Sequence, residues 1–597
     1  GEDGIILQGN IKSVSTEGFQ SSRTNVISYK RNNFKVKIDG NEIKRSENTF
    51  VVRILGFDIN IPLFILLRAI GYETDKQILS FIIYDNDYKE LKNKLFELIL
   101  PSVKDSQPIY TKDTALKLLS LNTKGKEIFN VIDLLNNNLL PNYKDNNDAK
   151  CKYICYSIRK ILLTHIGGFQ KTDRDSYSNK RIDLPGSLLL ELYRELWGNF
   201  KRSISLSIDS EYKMNYETSE EKDFTNIIND LNLNRIFNSS IMNTIVKSFG
   251  AKFGTGISSR QGIVQDLNRN VMLGTLSHIR RLSNPLPSGS KMIGPRKLHN
   301  SQWGFVCPTE SPDGGNVGII NHLSIISRVT TNIDENGIYN AIFDGDMIPL
   351  KSTNHKDFYT NTNIFLNGKL IGIHLNPSYL LRYLKLLKLN SFINITTSIS
   401  WNIQTNEFHV FSDSGRIIRP VFYLKTDSSG NKYNDLVNLD YSLIESWNKS
   451  LHGLLYSEDE SINFSTSEYY KEELDELKKD PHYLDHLEKR AASIEYIDSI
   501  ETENALISKS IGDISSIYTH CEIHSSLILS AVSLNIPFPE HSQFPRNVFS
   551  CQQTKQAVGV YSSAYNTRFE TFAHILYYPQ RPIVTTRYKK YTDVDKL

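Results

Sequence analysis

Between residues 58 and 165 apolar side chains recur at intervals of three and four, as in DTALKLLSL and KEIFNVIDLLNNNLL. That spacing places each apolar set on one face and predicts a mostly helical region. The same period continues through 187–250, where SLLLELYRELWGNF reads as a strong amphipathic helix. Beyond about residue 300 the pattern shortens to alternating segments between turn residues, such as IFLNGKLIGIHL and FHVFSDSGRIIRPVFYL, which predicts strands. The best candidate for a membrane span, Ile59 to Tyr72, contains Pro62 and Arg68 and is too short to cross a bilayer, so it is expected to be a buried core helix. The polar run NNNLLPNYKDNND near 136–148 reads as a loop, and no fixed-period repeat is present. The expected fold class is a multidomain α+β protein, helical first and strand-rich in the middle.

Length changes this picture by excluding a single small binding module, since 597 residues correspond to about three to five domains. With 39% hydrophobic and 23% charged residues the chain has material for several cores, which excludes disorder and a membrane bundle. Its first residues, GEDGIILQGN, contain no basic stretch followed by an apolar run, so no secretory signal is read. Five scattered cysteines do not make a disulfide scaffold and point to a reducing compartment. Cys151 and Cys155 share a helix face, yet without a second Cys or His pair nearby they do not make a zinc site, and no metal ligands are assigned.

The net charge of +3 hides a strong local segregation. Residues 256–300 hold seven bases (Arg260, Arg269, Arg280, Arg281, Lys291, Arg296, Lys297) against Asp266 alone. Residues 541–590 hold seven more, among them Arg546 and Lys555, against Glu570 alone, whereas 458–503 carries fifteen acids and five bases. Binding responds to the field within a Debye length of about 8–10 Å, so the two basic segments matter more than the total. The acidic stretch, with Asp475 four residues before Lys479, is expected to be a solvated helical insertion.

Chemistry concentrates in the two basic segments. In 258–324 the cations are interleaved with amides and the loop NPLPSGSKMIGPRK, a composition suited to gripping phosphate and sugar without reading base identity. In 537–561, Arg546, Asn547, Gln552, Gln553, Lys555 and Gln556 follow closely on two prolines and offer a bidentate guanidinium and a mobile ammonium to phosphates. The bland alternative for both is an ordinary basic surface. No Walker-type phosphate loop is present, and no hydrolase signature accompanies His299, His520 or His524.

Several long segments, in order, carry a family resemblance. DRDSYSNKRIDLPGSLL (173–189), RKLHNSQWGFVCPTESPDGGNVGIINHLS (296–324), YTHCEIHSSLILSAVSLNIPFPEHSQFPRN (518–547) and KQAVGVY (555–561) resemble the second-largest, β-type subunit of multisubunit DNA-dependent RNA polymerases, in the eukaryotic polymerase II style. Linking segments at 364–377, 411–422, 495–507 and 575–587 resemble it too. The resemblance implies a helical lobe-like domain with a remnant of the protrusion over 1–250, a fork region over 251–325, external region 1 over 326–425, external region 2 with the acidic insertion over 426–515, and the start of a hybrid-binding core over 516–597. It also implies that the rest of the protrusion, and the later segment that helps hold a second magnesium, lie outside this chain. By itself the chain is then expected not to polymerise. Magnesium would be held mainly by the largest subunit and by that outside segment.

Carried over by residue, Arg546 in FPRN matches the family arginine that contacts the incoming triphosphate. Lys555 and Gln556 match residues on the RNA side of the hybrid. Arg260 and Gln265 match fork residues near RNA, and Pro285 to Arg296, which includes Lys291, match the loop that meets downstream DNA. Arg280, Arg281 and Asn547 are further nucleic-acid-binding candidates. Implied partners are the largest subunit, smaller assembly subunits, template DNA, product RNA and ribonucleoside triphosphates, with no membrane. Two departures stand out: CPTESPDG has Ser311 and Asp313 for Thr and Glu, and FSCQQTKQ has Ser550 and Thr554 for Gln and Gly, which leaves the backbone path at Lys555 open. Abundant Asn, Lys, Ile and Tyr point toward large cytoplasmic DNA viruses; the expected location is intracellular, the nucleus, or a cytoplasmic virus factory and virion if the protein is viral. The competing function is a non-catalytic nucleic-acid-binding scaffold derived from such a subunit.

Overall fold

The computed structural model describes most of residues 26–568; the longer stretches outside the described residues are 1–25, 219–242, 255–259, 285–290, 442–446, 454–468, 569–576 and 585–597. Strands β1 (Val26–Ile38) and β2 (Asn41–Arg53) pair antiparallel from Val26 opposite Arg53 to Ile38 opposite Asn41, and the short β3 (Ile61–Pro62) adds to β2. Apolar periodicity does not predict this hairpin, because charged and amide residues fill much of both strands. The Asp39-Gly40 dipeptide between them is the sequence signal for it.

Helix α1 (Leu63–Ile70) is buried over all eight residues, as expected for the Ile59 to Tyr72 run. Arg68 is tolerated there because its guanidinium meets Asp75 and the carbonyls of Ser106 and Ile109, and a buried charge without such partners would be prohibitive. Helices α2 (Asp75–Ile82), α3 (Lys89–Asp105), α4 (Lys112–Leu121), α5 (Ile128–Asn137) and α6 (Asn147–Ile166) share one apolar core with α1: α3 and α4 pack on α1, α5 on α4, and α6 on α1 and α2. Asn146 caps α6 by accepting from the Ala149 amide, and Gly167 ends it in the left-handed region at φ 92°. Cys151 and Cys155 lie inside this core, where burial raises both thiols above their ordinary pKa. Arg159 of α6 grips Asp87 through two hydrogen bonds of 2.8 Å. Helix α7 (Pro185–Thr218) contains SLLLELYRELWGNF as expected; most of the predicted helical stretch beyond it lies outside the described residues.

The next elements are short: β4 (Lys252–Phe253) pairs with β5 (Arg260–Gln261), α8 (Met272–Ile279) follows, and β6 (Arg281–Ser283) pairs with β7 (Ile320–His322). After β8 (Arg328–Val329) and α9 (Glu335–Phe343) comes a five-stranded sheet of order β12-β13-β10-β11-β9, built from β9 (Ile348–Pro349), β10 (Thr362–Leu366), β11 (Lys369–His374), β12 (Ser398–Asn402) and β13 (Glu407–Phe411). Helix α10 (Pro377–Leu389) covers it. Leu350, Phe365 and Leu370 from this region enter the same apolar core as α1–α6, and the Leu370 amide donates to the Tyr143 hydroxyl at 2.8 Å.

Strand β14 (Ile417–Tyr423) belongs to a second sheet and pairs with β8, with β15 (Ile494–Asp498) and, at its end, with β17 (His520–Cys521), which lies parallel to β16 (Ile507–Ser508). The acidic stretch forms α11 (Lys471–Leu477) and α12 (Tyr483–Lys489). As expected, these helices lie at the surface with their acids solvated: Leu474 and Leu487 alone are buried, in the core beneath α10, and exposed Arg382 pairs with Asp485 and Glu488.

At the junction of the two sheets sits a buried ionic cluster. Lys388 of α10 lies 3.2 Å from Glu495 and 2.9 Å from Glu501, which belongs to α13 (Ser499–Asn504), and His520 meets Glu495 at 2.8 Å. Burial pushes the Glu501 carboxyl up to about 7, while Lys388 holds Glu495 well below the usual range despite its burial. Lys388→Met is therefore expected to destabilise the chain by about 3–5 kcal/mol, because it strands two buried acids. Denaturant unfolding checks this, and an unchanged midpoint would show that the cluster does not bind the sheets together.

Candidate nucleic-acid interface

The second basic segment folds into helix α14 (Phe544–Gln556). Pro545 sits in its first turn, where a missing N–H is harmless, and no side chain caps the helix start. Arg546 follows in that first turn, exposed, and among the described residues no side chain pairs with its guanidinium. A cation at the positive end of a helix dipole is unfavourable without an anion, so this placement suits a phosphate ligand. Asn547 is buried instead, and its amide donates to the Pro539 carbonyl at 2.8 Å, fixing the approach of the PFPEH segment. The Thr554 hydroxyl bonds the Ser550 carbonyl one turn back at 2.8 Å, so the helix runs unbroken through the positions that depart from the family pattern.

Nine residues separate Arg546 from Lys555, about 13 Å along the axis and about half a turn around it. The structure therefore places them on opposite sides of α14. Lys555 faces the other basic segment, where its ammonium lies 3.1 Å from Glu310 Oε1. The same oxygen accepts from Ser277 of α8 at 2.6 Å and is 3.5 Å from His322 Nε2 of β7. Glu310 and His322 are each 1% exposed. Burial, with Lys555 and Arg281 adding to it, drives the His322 pKa down to about 4 against the pull of Glu310, so Lys555 is the cation that balances this carboxylate. Gln556 ends the helix exposed.

Other contacts bind the two segments along their length. The Gly559 amide donates to Asn270 O at 2.8 Å, the Met272 amide to Val560 O at 3.2 Å, and Arg269 lies over the Tyr561 ring. The Asp313 amide donates to Gln552 Oε1 at 3.4 Å.

Several of the predicted cations serve the chain itself. Arg280 donates to the carbonyls of Ser324, Ile325 and Ser327, and Arg296 to those of Gly315 and Val317, so each clamps a turn. Arg281 is half-buried, opposite His322 in the β6–β7 register and within the field of Glu310. Lys291 is exposed, and exposed Gln265 sits 3.0 Å from His278. Arg260 lies in β5 opposite Phe253; its side chain and residues 285–290 of the predicted DNA loop lie outside the described residues.

Sequence comparisons bear on this arrangement. Models of RNA polymerase Rpb2 domains 2, 3, 4 and 6 match residues 19–183, 265–329, 364–425 and 532–597, together more than half of the chain. The DNA-directed RNA polymerase II subunit RPB2 of Encephalitozoon cuniculi is 30% identical over 549 residues, 89% of this chain and 44% of that protein. The chain belongs to the Rpb2 family. Other relatives are the DNA-directed RNA polymerase II subunit 2 of Arabidopsis thaliana, 30% identical over 88% of this chain and 42% of that protein, and the DNA-directed RNA polymerase subunit 2 of Acanthamoeba polyphaga mimivirus, 29% identical over 92% and 46%. The chain thus spans a little under half the length of these Rpb2 relatives.

Rpb2 relatives are subunits of polymerases whose phosphoryl transfer calls for divalent metal. Among the described residues no group of three or more His, Cys, Asp or Glu side chains is placed to hold one. The acid nearest the candidate site, Glu310, is already committed to Lys555 and Ser277. Magnesium does not fit the described residues. No described helix is long and apolar enough to cross a membrane. In the sequence Glu310 is one acid of CPTESPDG, inside the stretch that resembles the fork region, and no periodic pattern reports the burial that gives it Lys555 as partner.

The Arg296 clamp depends on one glycine. Gly318 has φ +72°, and a Cβ there would fall 2.3 Å from Arg296 O. Gly318→Ala is expected to lower stability by about 1–3 kcal/mol and to loosen 294–318. Hydrogen exchange of that segment is the measurement; unchanged protection would mean that the turn does not need its glycine.

Proposed function

We propose that this chain is a core part of a DNA-directed RNA polymerase, shaping the cleft that holds the RNA–DNA hybrid, the downstream DNA and the incoming ribonucleoside triphosphate. The observation that carries this reading is the meeting of the two cationic segments at α14, with Arg546 exposed and unpaired by any described side chain at the start of that helix. Arg546 would neutralise the β and γ phosphates and orient the leaving pyrophosphate, the positioning and electrostatic work that phosphoryl transfer requires. Lys555 and Gln556, about 13 Å further along the helix, would meet the RNA strand rather than the nucleotide. Lys291 and the segment leading to Arg296 would meet downstream DNA. The largest subunit and smaller assembly subunits would complete the enzyme and supply the carboxylates for magnesium.

In domain terms, we assign 251–325 to the fork and 516–597 to the start of the hybrid-binding core, the two parts that the Glu310–Lys555 pair joins. The mimivirus relative and the Asn-, Lys- and Ile-rich composition support a viral lineage, with transcription in a cytoplasmic factory.

In an assembled polymerase, Arg546→Ala is expected to raise the nucleotide KM or lower kcat by about tenfold to a hundredfold, the worth of a charged hydrogen bond to phosphate, and to leave assembly intact. Elongation at limiting nucleotide measures this; an unchanged rate would favour the non-catalytic scaffold.

A further inference from the structure

We propose that Glu310 is a positioning residue that acts through Lys555, fixing the ammonium so that its remaining donors are presented to an RNA phosphate. This rests on the reading of Lys555 as an RNA-side contact. An ammonium has three N–H donors, and the 3.1 Å contact with Glu310 takes one of them. The lysine side chain remains 14% exposed while its partner is 1% exposed, so the pair has a buried anchor and a reachable cation.

Three independent features fix the anchor. Ser277 of α8 donates to the same carboxylate oxygen at 2.6 Å, the Glu310 amide rests on Cys307 Sγ at 3.4 Å, and His322 of β7 holds the Glu310 carbonyl through Nδ1 at 3.1 Å. The lysine is fixed at its other end as well. A Cβ on Gly274 of α8 would lie 3.3 Å from Lys555 O, so α8 abuts the backbone of that residue. A lysine clamped at backbone and ammonium loses little side-chain entropy when phosphate arrives, which is how a flexible four-carbon stem becomes a preorganised contact. The charged groups facing the pair from every neighbouring element are His322 and Arg281. Neither makes a hydrogen bond to the carboxylate; His322 Nε2 stands 3.5 Å from the oxygen that Lys555 meets at 3.1 Å, so Lys555 is the nearer cation.

The test uses the assembled polymerase on an RNA–DNA hybrid scaffold and reads the lifetime of the stalled elongation complex at fixed salt, alongside the nucleotide KM. Lys555→Met is expected to shorten the lifetime about tenfold, the scale of one charge-assisted hydrogen bond. Glu310→Gln is expected to do nearly the same, to leave the nucleotide KM within twofold (~0.4 kcal/mol), and to add less than about twofold in the Lys555→Met background. If Glu310→Gln keeps its full effect without Lys555, Glu310 serves the fold alone and the proposal is overturned. A Lys555→Met lifetime equal to that of the unaltered enzyme would instead overturn the RNA-contact reading on which the proposal stands. Should Glu310→Gln fail to assemble, Ser277→Ala takes its place, because it removes one hydrogen bond to the same oxygen and keeps the charge. A smaller shortening that vanishes with Lys555→Met supports the proposal, and one that persists overturns it.

Discussion

A single buried carboxylate, Glu310, ties together two parts of the chain that are almost 250 residues apart in sequence. It receives Ser277 from α8 and Lys555 from α14, and it stands against His322 of β7. Each of those elements is short and has little apolar area of its own, so burial alone cannot fix their relative positions to the precision a phosphate site needs. Electrostatics supplies what the small core lacks. In a low-dielectric setting a charge pair with satisfied hydrogen bonds resists rearrangement, because any alternative packing leaves a buried ion unpaired.

The same logic recurs wherever the chain joins one layer to the next. Lys388 with Glu495 and Glu501 links α10 to the second sheet, Lys160 with Glu407 links α6 to the five-stranded sheet, and Arg181 with Asp413 draws the segment before α7 onto the turn before β14. Arg280 and Arg296 act as donors to the carbonyls of short turns. Much of the basic content of the chain therefore holds architecture. Counting cations in a segment overstates the field available to nucleic acid, and exposure with partner geometry separates Arg546 and Lys291 from Arg280.

Legibility in the sequence follows the same division. The amphipathic runs reported α4, α5 and α7 because a continuous stripe of apolar residues has few other ways to be buried, and the short, almost wholly apolar run reported α1 as a buried helix. Strands β10, β11 and β14 were visible as alternation. The hairpin β1–β2 was hidden because its polar residues blur the two-residue period, and the acidic helices were legible as solvated, though not the single leucine each, Leu474 and Leu487, that anchors them. At the candidate site Arg546 and Lys555 were legible from local composition and resemblance. Their separation by half a helical turn was not, since it depends on α14 continuing through Ser550 and Thr554. The partner of Lys555 was invisible for a further reason. No local rule connects residue 310 to residue 555.

This arrangement also explains how a cationic surface stays folded. Like charges gathered around one site repel one another and favour the unfolded chain unless counter-charge is built in. A surface acid would offset that repulsion, yet it would also compete directly with phosphate for the outward-facing donors. An acid placed beneath the lysine lowers the repulsion among Lys555, Arg281 and their neighbours, and burial keeps its oxygens away from an incoming polyanion. The depth of Glu310 is thus as consequential as its charge: close enough to hold the ammonium, and enclosed enough that nucleic acid meets the cation first.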